Sequence, residues 1–511
     1  MQTMKKFVSI LLALAMILAM STTAFATTLT INDSGDRTYN GYKLLNLTTS
    51  LNCDHAEGAT HEDGCYNYAY TVNEKYKAIL QALAGEVDIL TYLSGLEGDT
   101  KNGNDITFDT LHDAAEDIYA AILAADIKAD APEIINTANI DQGYWLFVDV
   151  TELDGKNDAN SFVIVDTKGQ EELTLTPKTA LPTLEKKVMD VNDSTGDETD
   201  WQDSADYDIG DSVPFQLTVT MPSNLGYYSS YEMVIHDTLS AGLTLNVDSI
   251  DVTIDGTATT AFAYAAGENG AFTLTCNNVL AIEGVDKDSV IVVTYDAVLN
   301  TDAVIGAVGN PNTAYLEFSN NPYGDGTGQT TPDMVIVFTY QLTINKVDEN
   351  EDALEGAGFI LYKKDSATGE YKEIAVGTDA DNKPIYELKG DQMTTFVWTG
   401  LDDGNYKLEE KTVPDGYNKM NDIEFTITAT HDIESDDPAL TALTSTLGEV
   451  VSTDDGKFTG VIQDDIINQT GTVLPETGAM GTMMLITGST VLIMVAAVFM
   501  ITRKKMSIYE D

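Results

Sequence analysis

Four side chains that can bind a metal ion or form a disulfide lie within thirteen residues of one another: Cys53, His55, His61 and Cys65. Two cysteines and two histidines form a donor set that holds zinc in structural sites. Only one residue separates Cys53 from His55, however, which is short for a zinc site, and an oxidising compartment favours a disulfide. We therefore predict a Cys53–Cys65 disulfide and no metal site, with free thiols as the alternative in an anaerobic environment.

Residue patterns of hydrolytic active sites are missing from the sequence. It contains no G-x-S-x-G nucleophile motif, no H-E-x-x-H zinc motif and no paired carboxylates in an α/β pattern that would form a cleft. The formal net charge of −55 repels phosphates, which excludes nucleic acid as a partner. We predict that the chain is not an enzyme acting on an external substrate and that it uses no cofactor.

The first 26 residues have the layout of a signal peptide. Lys5 and Lys6 precede an apolar run over residues 7–20, and a stretch of small residues closes with Ala24-Phe25-Ala26. Cleavage after Ala26 would start the mature chain at Thr27 and place it outside the cell. Because the whole chain has only three cysteines, disulfides cannot be the main covalent brace of so long a secreted protein.

Near the C-terminus lies an apolar segment that is long enough to span a membrane. Residues 483–501 contain no charged side chain. As a helix at ~1.5 Å per residue this segment spans ~28 Å, close to the ~30 Å of a bilayer core. A basic tail at residues 503–505 follows directly, which predicts that the extreme C-terminus stays in the cytoplasm.

A short motif precedes this apolar segment: Leu474-Pro475-Glu476-Thr477-Gly478. Together with the apolar segment and the basic tail, the motif resembles the LPXTG sorting signal that sortases process. The resemblance implies that a sortase cuts the Thr477–Gly478 bond and passes the Thr477 carbonyl to an amine. Residues 471–511 are then the sorting signal, and a precursor bound transiently to the membrane becomes anchored to peptidoglycan.

The extracellular stretch of about 450 residues is long enough for three domains of ordinary size. In its first part, apolar residues recur at helical intervals of three and four at Leu111, Ala115, Ile118 and Ile122. Residues 73–84 show a similar pattern. Beyond Pro182 short alternating segments such as 215–220 and 289–295 are typical of strands. We predict a mainly β chain of tandem immunoglobulin-like β-sandwiches, with a helical insertion in the first domain.

We place the domain boundaries at 27–178, 179–338 and 339–470. Residues 334–347 would form one long strand or two strands joined by a short bend. An acidic segment at residues 190–211 interrupts the middle domain. Its spacing does not fit a calcium-binding EF-hand loop: with Asp190 as position 1, Gly196 is at position 7 rather than 6, and Trp201 stands at position 12, where a glutamate is needed. We predict a solvated loop there.

The last extracellular block resembles the collagen-adhesin B-type (Cna B-type) repeat domain of Gram-positive surface proteins. Three segments carry the resemblance: Leu342-Thr343-Ile344-Asn345-Lys346-Val347-Asp348, Gly356-Ala357-Gly358-Phe359, and Tyr406-Lys407-Leu408-Glu409-Glu410 continuing to Pro414-Asp415-Gly416-Tyr417. The third segment is similar to the family's E-box, with Lys411 where threonine is common. The resemblance implies that Lys346 and Asn468 join in an intramolecular isopeptide bond, with loss of ammonia and with Glu410 as the promoting acid.

Physical chemistry is consistent with that implied reaction. Burial in an apolar core disfavours charge, so it lowers the pKa of a lysine and makes the neutral amine available as a nucleophile. A protonated carboxylic acid beside the amide can polarise the carbonyl and shuttle protons. The alternative for Lys346 is an ordinary solvent-exposed lysine on an edge strand.

The middle block resembles the second domain of major pilins, which is a related sandwich with its own bond. The matching segments are Leu184-Glu185-Lys186-Lys187-Val188, Ile235-His236-Asp237-Thr238-Leu239 and Gly309-Asn310-Pro311-Asn312-Thr313-Ala314. The resemblance implies a bond between Lys186 and Asn312 with Asp237 as the promoting acid. Lys187 and Asn310 stay open as alternatives, since a slip of one residue moves a strand side chain to the other face.

The junction of the first two domains contains Leu173-Thr174-Leu175-Thr176-Pro177-Lys178. This segment resembles the pilin motif, whose usual core is tyrosine-proline-lysine, although Thr176 stands in place of the tyrosine. The resemblance implies that Lys178 is the amine that attacks the sortase-bound Thr477 of the next subunit. The alternative is an ordinary linker lysine.

These resemblances together predict the shaft-forming backbone subunit of a covalent, sortase-assembled pilus on the cell wall. The implied partners are a pilus-polymerising and a housekeeping sortase, other copies of the chain, minor pilins and peptidoglycan, with host or bacterial surface ligands as further candidates. The alternative is a wall-anchored adhesin or minor pilin that never polymerises. Lys178 discriminates between the two, because a polymer needs an acceptor lysine.

Overall fold

The structure is a computed structural model that describes residues 26–32, 37–51, 66–96, 100–102, 105–107, 110–153, 155–176, 180–454 and 456–471 of the 511. Several predictions lie outside these residues: the signal peptide, the pair Cys53 and Cys65, the acceptor Lys178 and the sorting signal with its apolar segment. Across the described ranges no helix is long and apolar enough to cross a membrane. The described chain is mainly β, as predicted, and its sheets fall into three groups that we call the N-terminal, middle and C-terminal modules.

The N-terminal module combines two main sheets with three helices. Strands β1, β7 and β10 form one sheet, while β3, β2, β8 and β9 form the other with β6 paired to β2; β4 and β5 form a separate pair. The strands are β1 (Ala26–Ile31), β2 (Thr38–Leu51), β3 (Tyr66–Val72), β4 (Thr100–Asn102), β5 (Asp105–Thr107), β6 (Ala131–Ile135), β7 (Thr137–Asp141), β8 (Gly143–Asp149), β9 (Phe162–Asp166) and β10 (Glu172–Leu175). The helices are α1 (Lys77–Ala84), α2 (Ile89–Ser94) and α3 (Thr110–Ala124).

The helices form the predicted insertion, between β3 and β6. The apolar face of α3 buries Ile118 and Ile122 in a core shared with Leu80 of α1 and Leu146 of β8. Helix α2 was not predicted, because six residues are too few to show a helical period. Its local signal is Asp88, whose carboxylate caps the helix by accepting from the backbone N–H groups of residues 90 and 91.

The middle module is a two-sheet sandwich. One sheet has the order β11-β13-β20-β16-β17 with β15 on β20, and the other has the order β12-β23-β21-β14-β19-β18 with β22 on β21. The strands are β11 (Thr183–Val188), β12 (Ser204–Asp206), β13 (Ser212–Thr220), β14 (Met233–Leu239), β15 (Leu243–Leu245), β16 (Asp251–Ile254), β17 (Thr257–Ala258), β18 (Ala263–Ala266), β19 (Ala271–Cys276), β20 (Val290–Leu299), β21 (Asn310–Ser319), β22 (Thr327–Gln329) and β23 (Asp333–Phe338). Alternate side chains of β13, β14, β20 and β21 point inward, as their sequence alternation requires.

The C-terminal module is a second sandwich. Its sheets have the orders β30-β24-β35-β34 and β26-β25-β31-β32-β33, with β29 on β25. The strands are β24 (Tyr340–Val347), β25 (Gly358–Lys364), β26 (Tyr371–Glu373), β27 (Gly377–Thr378), β28 (Pro384–Ile385), β29 (Glu387–Lys389), β30 (Thr395–Leu401), β31 (Gly404–Thr412), β32 (Ile423–His431), β33 (Leu440–Ser445), β34 (Glu449–Ser452) and β35 (Phe458–Ile467). The first and last strands, β24 and β35, are parallel neighbours.

One residue, Thr339, separates β23 of the middle module from β24 of the C-terminal module. The segment 334–347 is therefore two strands, which was one of the two predicted alternatives. Alternate residues of β23 face different cores: Val335 and Val337 pack in the middle module, whereas Ile336 and Phe338 pack in the C-terminal one. The two modules consequently share apolar surface at their junction.

The acidic segment 190–211 corrects a prediction from the sequence. Residues 195–200 are exposed, as predicted, but the second half of the segment is not a solvated loop, since Asp203, Ser204 and Asp206 are all less than 10% exposed. Residues 204–206 form β12, which pairs with β23, and the backbone N–H of Asp203 donates to the carbonyl of Ile433 in the C-terminal module. This second half is buried because the C-terminal module covers it.

Candidate functional site

Strand β11 opens the middle module and carries Lys186 into the core. The alternation along β11 buries Leu184, Lys186 and Val188 and leaves Glu185 exposed. The Lys186 side chain is fully buried, between two aromatic rings: its Nζ lies 5.5 Å from the ring centre of Phe215 and 5.3 Å from that of Tyr295. Burial lowers the pKa of Lys186, although the Asp237 carboxylate opposes this shift.

The two sheets of the sandwich bring three further polar side chains together around the Lys186 amine. Lys186 Nζ donates to Asp237 Oδ2 over 2.6 Å and to the Tyr295 hydroxyl oxygen over 2.8 Å. The Tyr295 hydroxyl donates to Asp237 Oδ2 over 2.7 Å and accepts from Asn312 Nδ2 over 2.8 Å. Lys186 and Tyr295 come from one sheet, whereas Asp237 and Asn312 come from the other.

Two buried oxygens at this site have no hydrogen-bond partner among the described residues: Asp237 Oδ1 and Asn312 Oδ1. A buried oxygen without a donor costs free energy of roughly 1–3 kcal/mol. Because most buried polar atoms in folded proteins are hydrogen-bonded, these two oxygens call for an explanation, and a functional role of the group is one such explanation.

Lys187 and Asn310, the alternatives to Lys186 and Asn312, lie outside the group of polar side chains around the Lys186 amine. Lys187 points away from the core, where its Nζ binds Asp203 Oδ1 over 2.6 Å and Glu185 Oε1 over 3.3 Å. The Asn310 side chain is buried but bonds only to backbone: it accepts from the N–H of Val304 and donates to the carbonyls of Val304 and Val337. Neither residue contacts the Lys186 group.

The C-terminal module brings its own three predicted residues to one end of the sandwich. Lys346 is on β24, Glu410 is on β31 of the opposite sheet, and Asn468 directly follows β35. All three side chains are buried, with 1% exposure or less. The parallel pairing of β24 with β35 sets Lys346 opposite Ile466, and the backbone N–H of Asn468 donates to the Val347 carbonyl.

Glu410 holds the Asn468 amide. Asn468 Nδ2 donates to Glu410 Oε1 over 2.6 Å, while Glu410 Oε2 accepts the backbone N–H of Met420 over 2.9 Å. Asn468 Oδ1 is buried and has no partner in the described chain. The amide is thus fixed through its nitrogen, and its carbonyl oxygen is left unsatisfied, as at Asn312.

The Lys346 amine donates to two backbone carbonyls, those of Val347 over 3.0 Å and Ile466 over 2.7 Å. Burial lowers the pKa of Lys346 to about 8, with the Glu410 carboxylate as the largest opposing influence. At neutral pH about a tenth of such amines carry no proton and are nucleophilic. The alternative of a solvent-exposed edge lysine does not fit a residue with no exposed surface.

Sequence reasoning named six of the seven polar residues of the two sites and missed Tyr295. Its signal was available, because Tyr295 sits at an inward position of the alternating segment 289–295. Burial, followed by the adjacent Asp237 carboxylate, raises the pKa of Tyr295, which keeps the hydroxyl protonated as a donor. His236, next to Asp237, points the other way and stacks on Tyr315 with ring centres 4.5 Å apart.

Comparison with known proteins agrees with this architecture. Residues 340–438 match the SpaA prealbumin-like fold domain. The trypsin-resistant surface T6 protein of Streptococcus pyogenes serotype M6 is 28% identical over 282 residues. That alignment covers 50% of this chain and 47% of the relative, so the chain matches about half the length of the relative.

The solved structure of the T6 backbone pilin of Streptococcus pyogenes serotype M6 superimposes with a TM-score of 0.51 at 19% sequence identity. The superposition covers 88% of this chain and 98% of the pilin. At this identity the likeness shows a shared fold, and it extends over nearly the whole of the pilin. The chain is therefore similar in sequence to a streptococcal surface protein and in fold to a backbone pilin, and its residues 340–438 match the SpaA prealbumin-like fold domain.

Proposed function

We propose that this chain is the structural backbone subunit of a sortase-polymerised pilus on a Gram-positive cell surface. The observation that carries the proposal is the pair of buried lysine–acid–asparagine groups, each of which joins an early strand of a sandwich module to a late one. The pilin fold supports the same function. We take the three modules to be the three domains proposed at 27–178, 179–338 and 339–470.

In the middle module, the proposed reaction joins Lys186 Nζ to Asn312 Cγ. Transfer of a proton from the lysine ammonium to Asp237 replaces two buried charges with a neutral amine and a neutral acid, which a low-dielectric core favours. The amine attacks Cγ, a C–N bond forms, and the bond from Cγ to Nδ2 breaks. Asp237 passes its proton to the departing nitrogen and takes up the proton that the attacking nitrogen loses, and the former amide nitrogen leaves as ammonia.

In the C-terminal module, the same reaction would join Lys346 to Asn468. Glu410 already contacts the amide nitrogen that must leave, since Asn468 Nδ2 donates to its Oε1. A proton on Glu410 can therefore be delivered to the departing nitrogen over a single hydrogen bond. The reaction needs no cofactor, and each module catalyses only its own bond.

The two bonds would carry tension through the shaft. Lys186 lies on the first strand of the middle module and Asn312 on a late strand of the other sheet, so that bond crosses the sandwich. Lys346 and Asn468 lie on or beside the first and last strands of the C-terminal module. Covalent links at these positions spare the hydrogen-bonded strand pairs from load, in a protein with few cysteines.

Assembly would use the two residues that lie outside the described chain. Sortase would cut after Thr477, beyond the C-terminal module, and transfer its carbonyl to Lys178, which lies between the N-terminal and middle modules. Each linkage then stacks one subunit on the next. The housekeeping sortase would attach the base to peptidoglycan, with minor pilins as further components.

The intact mass of the mature chain, residues 27–477, tests both bonds. We expect the wild type to weigh two ammonia molecules less than its sequence. Lys186→Ala should restore one ammonia, because it removes one nucleophile. Lys187→Ala, its neighbour on the outer face, is the matched control and should keep both losses. A wild-type mass equal to that of the sequence would exclude both bonds. Restoration of one ammonia in Lys187→Ala but not in Lys186→Ala would assign the middle bond to Lys187.

Replacement of Glu410 tests how much the proposed Lys346–Asn468 bond contributes to the stability of the C-terminal module. Glu410→Ala should block the bond, since no acid remains beside the Asn468 amide. By analogy with a disulfide, closing a loop of about 120 residues contributes ~4–5 kcal/mol through the unfolded chain. Thermal unfolding and trypsin digestion of the variant should show a less stable C-terminal module. A variant that lacks the bond by mass yet unfolds at the wild-type temperature would contradict this expectation.

The acceptor lysine decides between a shaft and a lone anchored protein. Lys178→Ala should abolish the ladder of high-mass species in immunoblots of wall extracts and leave a folded, secreted, wall-attached monomer. Lys187→Ala serves as the control and should keep the ladder. A ladder that persists in Lys178→Ala would mean that another lysine is the acceptor. A single band from the wild type with its cognate sortase would replace the pilus with a wall-anchored adhesin.

A further inference from the structure

Carboxylates converge where the middle module meets the C-terminal one. The middle module contributes those of the segment 190–211, and the C-terminal module contributes two from the turn between β30 and β31. The groups fall into two neighbouring sets: Asp193, Asp208 and Asp211 in one, and Asp190, Asp206, Asp402 and Asp403 in the other. We call the second set, which neither isopeptide site uses, the junction cluster.

The first set already has a cation from the protein. Lys363 Nζ reaches across the module boundary to Asp208 over 2.6 Å and to Asp193 over 3.2 Å, and it also contacts Asp402 over 3.1 Å. Burial would lower the pKa of Lys363, but these carboxylates outweigh it and raise the pKa above its usual value. The lysine therefore stays charged and neutralises part of the negative charge.

The negative charge of the junction cluster is compensated less completely than that of the first set. One oxygen each of Asp206, Asp402 and Asp403 lie within 4.8 Å of one another. Asp206 and Asp402 are almost completely buried, with 3% and 1% exposure. Asp206 Oδ2 has no hydrogen-bond partner among the described residues. Two cationic side chains approach the cluster: Lys363 Nζ, shared with the first set, lies 3.1 Å from Asp402, and His431 Nε2 lies 3.4 Å from Asp206 and 3.8 Å from Asp190. The four carboxylates still outnumber these two cations.

A second polar group, which faces Asp206, also lacks a hydrogen bond of ordinary geometry among the described residues. The hydroxyl of Tyr340 is fully buried and makes no hydrogen bond within the described chain. Burial raises the pKa of Tyr340, and the next causes are the carboxylates of Asp206, Asp402 and Asp403. The hydroxyl is thus directed at the same oxygens, in a position where a ligand or its bound water would satisfy it.

The geometry and charge point to a hard cation. Calcium binds carboxylate, carbonyl and water oxygens at about 2.3–2.6 Å, so two ligands of one ion can lie up to ~5 Å apart. The three oxygens meet this limit. Buried carboxylates that repel one another are costly unless a cation pairs with them. We propose that a calcium ion binds at the junction cluster through Asp206, Asp402 and Asp403 and joins the middle module to the C-terminal one.

This proposal goes beyond the pilus function and differs from the absence of a metal site predicted from the sequence. The EF-hand spacing of residues 190–201 fails as a linear motif, but Asp402 and Asp403 come from another module that no linear motif includes. Extracellular modules typically bind calcium with dissociation constants of about 10⁻⁴–10⁻³ M. A site of this strength would be filled outside a cell and would stiffen the junction there.

Protons bound by the carboxylates are the alternative to calcium for neutralising the negative charge of the cluster. Burial, followed by repulsion from Asp206, raises the pKa of Asp190 to about 8 and that of Asp403 to about 7. A cluster held by protons would be neutral enough to fold without a metal ion. The experiment must therefore measure calcium directly rather than infer it from stability.

The test uses the mature chain, freed of metal with a chelator, in buffer with 150 mM NaCl (a Debye length of about 8 Å) to screen the charge of the remaining surface. Calorimetric titration with calcium chloride should show one ion per chain, with magnesium binding at least about tenfold more weakly. Asp206→Asn should weaken calcium binding at least about tenfold. Asp391→Asn, an exposed acid of the same C-terminal module, is the matched control and should bind as the wild type does.

Three results would overturn the proposal: no calcium binding up to 10 mM (about ten times the weakest expected dissociation constant), equal affinity for magnesium, or unchanged affinity in Asp206→Asn. If Asp206→Asn does not fold, Asp403→Asn takes its place, since Asp403 is only half-buried and its loss disturbs the core less. The same loss of calcium affinity is expected of it. Wild-type affinity in a folded Asp403→Asn would equally exclude the site.

Discussion

A lysine amine enclosed in an apolar core is the feature on which both sandwich modules depend. A buried ammonium costs several kcal/mol unless it is paired, and a paired one still gains by passing its proton to the carboxylate beside it. Lys186 and Lys346 have no exposed surface, and burial lowers the pKa of each. The packing that makes these residues unfavourable as charges would make them favourable as nucleophiles, so in the proposed reaction the fold itself supplies the activation.

The two sites reach this state by different routes. In the middle module the acid binds the amine, and Tyr295 links both to the amide. In the C-terminal module the acid binds the amide, and the amine rests on backbone carbonyls. In the proposed reaction, one site thus prepares the nucleophile and the other prepares the leaving group. In both, the asparagine carbonyl oxygen has no donor among the described residues, which is the common element.

The sequence predicted the parts of this arrangement that depend on local alternation. Alternation along β11 determines that Lys186 is inside and Lys187 outside once Leu184 and Val188 are assigned to the core. Family resemblance supplied the partners on distant strands, since no local pattern relates Asp237 to Asn312. The α3 helix followed from its apolar spacing, whereas α2 is too short to show one. Tyr295 was overlooked because an inward-facing tyrosine on a strand is more often a packing residue of the core than a participant in a reaction.

The acidic segment 190–211 shows where sequence reasoning fails for a physical reason. Asp, Ser and Gly in one stretch predict a solvated loop only if nothing covers it. Here the C-terminal module covers it, and two more carboxylates and Lys363 approach from the other side. Whether an acidic stretch is exposed depends on tertiary contacts between modules, which its own composition does not reveal.

The central claim is that the two isopeptide bonds, and not the hydrogen-bonded strands, carry tension. Single-molecule pulling of the mature chain from its two ends tests this claim most directly. If the bonds exist, the segments enclosed by them, 187–311 and 347–467, stay inextensible, and only the N-terminal module and the short connections lengthen. Each enclosed segment holds about 120 residues and would add roughly 400 Å if it unravelled. Lengthening without these two increments is the expected result, and the appearance of both would contradict the account.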